Sequence, residues 1–224
     1  MELTLDATAP IAGGQLPAGF SRLRDACPSA LIDPRYATDR NFIGRPLDGY
    51  ESAQCCSTTR AALALRAVCE EAARAGLAVK VFDAYRPERA VRDMVRWCGQ
   101  AEEDPEARRL YHPRIPKREL LQRGYIAPAS SHSRGSAIDL TLAVGAAGLG
   151  APDLQELDMG TPFDHFDPAS ACMSDEVSGR ARENRLLLRR LMTAGGFVPY
   201  ELEWWHFRLA DEPFRTQSFD FPIP

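Results

Sequence analysis

The chain has 224 residues, a formal net charge of −4, 45% apolar residues and 26% charged residues. That is an ordinary soluble globular composition, long enough to bury a sizeable core in one large domain or two small ones. Bases and acids are interspersed, which excludes a nucleic-acid footprint and a charged tail, and no apolar run approaches the roughly 18 residues of a membrane span.

The first residues, Met1-Glu2-Leu3-Thr4-Leu5-Asp6, have no basic or apolar leader region, so a cytoplasmic chain is expected. Residues 1–56 are rich in Pro, Gly and Asp and predict irregular structure with one or two short strands near stretches such as Leu31-Ile32. Ser57-Thr58-Thr59 offers an N-cap to a helix with Ala61, Leu65, Val68 and Ala72 on one face and Gly76 at its end. Leu77 to Phe82 predicts a buried strand. Pro87 fits the first turn of a second helix that presents Val91, Met94, Val95 and Cys98 at i, i+3, i+4 and i+7.

Residues 99–130 are polar and broken by Pro105, Pro113, Pro116 and Pro128, which predicts a long functional or mobile loop. Ala137 to Val144 predicts a second strand. Gly145–Phe166 is glycine-rich and ends in Met159-Gly160-Thr161-Pro162-Phe163-Asp164. Ser178 caps a helix whose Leu187, Leu188 and Leu191 face the core, and Gly195-Gly196 stops it. Val198 to Trp204 predicts a third strand, and the tail after Asp211 reads as irregular. Mixed helices and strands without strict alternation predict one α+β domain over residues 1–224. The six cysteines, with Cys69 and Cys98 on apolar helix faces and no CxxC, read as reduced and structural.

One pattern carries chemistry. His132 and Asp139 are separated by a tight turn at Gly135, and Asp139 lies within an apolar run, where a carboxylate must be paired, hydrogen-bonded or metal-bound. Glu203-Trp204-Trp205-His206 answers it later in the chain. Two histidines and an aspartate can give a catalytic zinc ion three ligands and leave a position for water, with a free glutamate as base. Singly, each residue also reads as structural: a histidine in a serine-rich loop, an aspartate in an ion pair, a glutamate on a tryptophan-rich strand. Residues three apart on a regular strand face opposite ways, so Glu203 and His206 need a bend near Trp204-Trp205 to share one metal. The other histidines, His112 and His165, have no matching partner spacing. Arg86, in Asp83-Ala84-Tyr85-Arg86-Pro87 at a strand end, can stabilise an oxyanion or form a salt bridge to Asp83.

SSHSRGSAIDLTL at 130–142, EWWHF at 203–207, DAYRP at 83–87 and MGTPFDHF at 159–166 resemble the zinc D-alanyl-D-alanine dipeptidases. That family shares its wider group with the peptidoglycan D,D-carboxypeptidases and the hedgehog signalling domain. The likeness runs from about Tyr36 to Phe207 and implies a small, mostly antiparallel sheet flanked by helices, with the metal at its centre. It implies one zinc ion per chain on His132, Asp139 and His206, Glu203 as general base and Arg86 as transition-state stabiliser. Asp164 is implied as a partner of the substrate ammonium, and Ser130 and Ser131 as residues along the substrate. The expected substrate is the free dipeptide D-Ala-D-Ala, cleaved for antibiotic resistance or for D-alanine recycling, with no nucleic acid or membrane as partner. Two other readings stand beside it: a peptidoglycan D,D-carboxypeptidase or endopeptidase, which needs an open groove, and a non-catalytic zinc-stabilised module. Glu203 and Arg86 beside the ligands argue against the latter, because a structural site closes its fourth position with another ligand.

Overall fold

The computed structural model describes residues 15–224 except 102–103 and 145–154. The expectations for the first residues and for part of the 145–166 stretch lie outside the described residues.

A short strand β1 (Phe20–Arg22) runs into the one-turn helix α1 (Leu23–Ala26), and β2 (Leu31–Ile32) and β3 (Cys56–Thr58) follow. Helix α2 (Thr59–Arg74) starts where the Thr58 side chain accepts a bond from the Ala61 amide. It buries Ala61, Ala62, Leu65, Val68, Cys69 and Ala72, the face that the apolar spacing predicts. Strand β4 (Leu77–Asp83) and helix α3 (Glu88–Cys98) also fall where the sequence places them.

The segment expected as one long loop contains helix α4 (Pro105–Tyr111). The Asp104 side chain caps the Glu106 and Ala107 amides, and Pro105 opens the first turn. Helix α4 buries none of its residues, so it carries no apolar periodicity to reveal it.

Strand β5 (Ala137–Val144) matches expectation, and β6 (Gln155–Glu156) and α5 (Gly179–Ala194) follow. The third strand, expected over Val198 to Trp204, is instead two strands, β7 (Phe197–Pro199) and β8 (His206–Leu209), joined by a turn. The sheet order is β2-β4-β5-β8-β7, with β6 also paired to β5. All pairings are antiparallel except β2 with β4. Helix α2 packs on β4, α5 on β7, and the two helices on each other, so the fold is α+β with a mostly antiparallel sheet.

The tail after Asp211 forms no helix, yet it positions the site. Phe219 donates its amide to the Ser133 carbonyl and accepts from the Glu88 amide. Phe221 stacks on Tyr85 at 4.0 Å, and Ile223 bridges to Tyr50. The tail therefore ties the turn after β4 to the turn before β5. All six cysteines are buried thiols, and Cys27 and Cys69 bring their sulfurs within 3.2 Å.

Candidate metal centre and active-site cavity

Antiparallel pairing sets Asp139 of β5 directly opposite His206 of β8, and Asp83 of β4 opposite Asp139 on the other edge. Directly opposed residues share a face, so these side chains form one row across the central strands. Strand alternation turns Asp139 away from the core residues Ile138 and Leu140.

His132 reaches the same row from a 3-10 turn, Ser131–Arg134, just before β5. The Ser130 hydroxyl accepts from the His132 amide at 3.2 Å. Gly135 ends the turn at φ +76°, where an added Cβ would sit 2.3 Å from Phe20 Cε1, so this position needs glycine. The His132 Nδ1 lies 2.5 Å from the Ala84 carbonyl and donates to it, which leaves Nε2 as a lone-pair donor toward the centre.

His132 Nε2, His206 Nδ1 and Asp139 Oδ1 lie 2.9, 3.0 and 3.2 Å from one another. Three ligands about 2.1 Å from a tetrahedral zinc stand roughly 3.4 Å apart, so the donors are nearly at the spacing a small divalent ion requires. They form the one His/Cys/Asp/Glu group of this kind among the described residues. Two imidazole nitrogens with one carboxylate also form a suitable donor set for such an ion.

The charges favour that use. Burial works against ionisation of Asp139, but the His132 and His206 rings beside it hold its carboxyl well below the usual range. Burial pushes the His206 imidazole below its ordinary value, toward the neutral form that can ligate. Behind these donors, buried Asp83 accepts from Tyr50 at 2.7 Å and from Arg86 Nε at 3.0 Å and lies 3.5 Å from His132 Nδ1. Arg86 makes the Asp83 pair that the sequence allowed and also reaches Asp139 Oδ2 at 3.3 Å. Its guanidinium sits 4.7 Å over the Tyr36 ring.

Glu203 enters from the turn between β7 and β8. Its amide bonds to the Tyr200 carbonyl at 3.3 Å, and its carbonyl accepts from the His206 amide at 3.4 Å. This tight turn is the bend that puts Glu203 and His206 on one cavity. Trp204 donates to Thr161 Oγ1 at 3.0 Å, and Trp205 packs edge-on to Phe163. Burial, reinforced by Asp139 and Asp164, raises the Glu203 carboxyl well above its usual range. A base with a raised pKa holds an abstracted proton better.

Asp164 is 2% exposed and is the one non-glycine residue at positive φ (+61°) among the described residues. Tyr36 donates to its Oδ1 at 2.9 Å, and its buried Oδ2 has no hydrogen-bond partner. Burial and the nearby Asp139 push its carboxyl up. A buried acceptor with a spare oxygen suits an incoming cation. Arg185, 1% exposed, holds the segment in place: it donates to the carbonyls of Met159, Ala169 and Ala171 and to Thr161 Oγ1. Thr161 is also the acceptor for Trp204, so one buried arginine supports the segments that carry Asp164 and Glu203.

These groups line one cavity of about 210 Å³, below the 300–1,000 Å³ typical for drug-sized ligands. All eight residues singled out in the sequence line it: Arg86, Ser130, Ser131, His132, Asp139, Asp164, Glu203 and His206. Ser131 Oγ lies 3.3 Å from His206 Nε2, so this serine also orients the His206 ring. Tyr36, Tyr200 and the 124–129 segment also surround the site; the sequence assigns the two tyrosines no role and places 124–129 only within the polar 99–130 loop. Tyr36 stands where the family likeness begins, which is the one local signal at either tyrosine.

A family model described as D-ala-D-ala dipeptidase, of the M15 peptidases, matches residues 17–224. A D-alanyl-D-alanine dipeptidase of Enterococcus faecium is 40% identical over 92% of this chain and 98% of its own. One from Streptomyces coelicolor is 39% identical over 85% of this chain and 91% of its own. The structure of VanYB in complex with D-Alanine-D-Alanine aligns over 72% of this chain and 76% of its own at 13% identity and a TM-score of 0.41.

Proposed function

The chain belongs to the M15 peptidase family of D-Ala-D-Ala dipeptidases, and from that premise we propose that its cavity hydrolyses free D-alanyl-D-alanine to two D-alanines on a single zinc ion held by His132, Asp139 and His206. The observation that carries the reading is the convergence of those three donors beside buried Glu203 and Asp164 in one small cavity. When bound, zinc supplies Lewis acidity, which brings the pKa of a water toward about 7 and polarises the scissile carbonyl.

The chain's own groups do the rest. Glu203 takes the proton of the attacking water and delivers it to the leaving amine. Arg86, anchored by Asp83 and Asp139, opposes the negative charge that grows on the carbonyl oxygen, and one such stabiliser is typically worth about 10²–10³ in rate. Asp164 takes the substrate ammonium on its spare oxygen, while Tyr36 holds the other. Ser130 and Ser131 lie along the substrate and steady the turn of His132 and the ring of His206. The family match across residues 17–224 supports reading residues 1–224 as a single dipeptidase domain. Among the described residues no helix is long and apolar enough to cross a membrane. A cytoplasmic location belongs to the proposal and is tested by cell fractionation.

Hydrolysis of D-Ala-D-Ala, L-Ala-L-Ala and N-acetyl-D-Ala-D-Ala tests this reading. Release of D-alanine from the free D,D-dipeptide alone is the expected result. Efficient cleavage of the blocked peptide would shift the function to a wall carboxypeptidase.

A further inference from the structure

We propose that Tyr200 is a specificity-determining residue that limits this cavity to dipeptides, by clasping the turn that carries Glu203 to the 124–129 segment across the cavity mouth. The inference rests on the dipeptidase reading above and deepens it.

Tyr200 is 37% exposed, the first residue after β7, and lines the cavity. Its amide bonds to the His206 carbonyl at 2.9 Å, and its ring stands edge-on to the His206 ring at 5.6 Å. Its hydroxyl crosses to the other arm and donates to the Gly124 carbonyl at 2.8 Å. Gly124 has φ +86°, and an added Cβ would lie 3.0 Å from the Tyr200 hydroxyl, so glycine lets the two arms meet. Beyond it the arm turns inward through buried Ile126 and through Tyr125, which packs on Phe166 at 5.9 Å. Ala127 and Ala129 of the arm stay exposed at the rim.

The lining of the cavity differs in depth. Asp164, the proposed ammonium partner, is 2% exposed, whereas Ala127 and Ala129 of the same lining are exposed, so a longer peptide with a free amine extends from its carboxyl end, toward that exposed rim. There it meets the clasp. Rejection by a closed wall needs no unfavourable contact with the dipeptide itself, and it penalises every added residue. The clasp is one neutral, partly exposed hydrogen bond, so its loss shifts the closed-to-open balance by about tenfold at most.

The test uses the zinc-loaded full chain and two free-amine substrates, D-Ala-D-Ala and D-Ala-D-Ala-D-Ala. In the tripeptide, water adds across the first amide and the C–N bond breaks, releasing D-alanine and D-alanyl-D-alanine. Wild type is expected to cleave the dipeptide and leave the tripeptide. Tyr200→Phe, which removes only the hydroxyl, should raise the tripeptide-to-dipeptide ratio of kcat/KM by about tenfold, and Tyr200→Ala should raise it further. Gly124→Ala attacks the same contact from the opposite arm and should relax length selection in the same direction, a change that general destabilisation would not produce. The clasp is overturned if folded variants cleave the dipeptide but gain nothing on the tripeptide, or if wild type already cleaves both comparably. Wild type that cannot cleave the dipeptide would instead overturn the reading on which the clasp rests.

Discussion

Asp164→Asn is the sharpest probe of how this cavity recognises its substrate. The change keeps the shape of a side chain that is 2% exposed and leaves Tyr36 next to it, but removes the carboxyl group that the proposed function offers to the ammonium. Hydrogen bonds to charged groups contribute about 1.5–3 kcal/mol, and stranding a buried charge without its partner costs about 3–5 kcal/mol. About 3 kcal/mol, at 1.36 kcal/mol per decade, predicts a loss of roughly 10² in kcat/KM for D-Ala-D-Ala. The ammonium is held equally in ground and transition states, so most of the loss should fall on KM. Steady-state kinetics with N-propionyl-D-alanine, the same dipeptide without its amine, supplies the control: wild type and variant should differ little on it. Equal losses on both substrates, or less than a threefold loss on the dipeptide, would refute the assignment of Asp164 to the ammonium.

Glu203→Gln should keep its zinc by metal analysis yet lose about 10²–10⁴ in kcat, the usual worth of a positioned base. It should also alter stability, with a sign fixed by the raised Glu203 carboxyl. The folded protein retains that proton over a range where the unfolded chain has lost it, so stability falls as pH rises from about 4.3 toward the higher folded value. The variant lacks that slope, so its metal-free form should melt above metal-free wild type at pH 7, with the gap closing toward pH 4; a lower melting point at pH 7 contradicts this. Arg185→Met strands the carbonyls of Met159, Ala169 and Ala171 and should destabilise the fold by about 3–5 kcal/mol in urea melts. Because that arginine supports the Asp164 segment, KM for the dipeptide should rise in whatever folded protein remains; an unchanged KM would separate the two. Gly135→Ala should destabilise by at least about 1 kcal/mol in the same melts, because it adds a left-handed backbone to a clash with Phe20; an unchanged midpoint would show that the turn relaxes freely.

Local signals were legible wherever a buried face repeats. The spacing of Ala61, Leu65, Val68 and Ala72 fixed α2, and the apolar runs fixed β4 and β5 with Asp139 inside. The polar helix α4 was not legible, because none of its side chains is buried. A bend near Trp204-Trp205 was legible as a requirement for Glu203 and His206 to share one metal, but its start right after Pro199 was hidden because the run to Trp204 reads as a strand, while the backbone bonds of Tyr200, Glu203 and His206 close the turn. The metal donors could be named from residue type and family likeness, but their alignment comes from register between β5 and β8. Tyr36 and Arg185 act through partners distant in sequence, Asp164 for Tyr36 and Met159 for Arg185, and Asp83 adds distant Tyr50 and His132 to the local Arg86 pair. Single-chain periodicity carries no trace of such pairings.

The proposed hydrolysis requires His132, Asp139 and His206 to hold one catalytic zinc. Chelator-stripped protein titrated with zinc, with bound metal and D-Ala-D-Ala turnover measured in parallel, tests it most directly. Turnover should rise in proportion to bound zinc and saturate at one equivalent, and His206→Ala should bind no zinc tightly. Full turnover in the stripped protein, or stoichiometric zinc retained by His206→Ala, would contradict it.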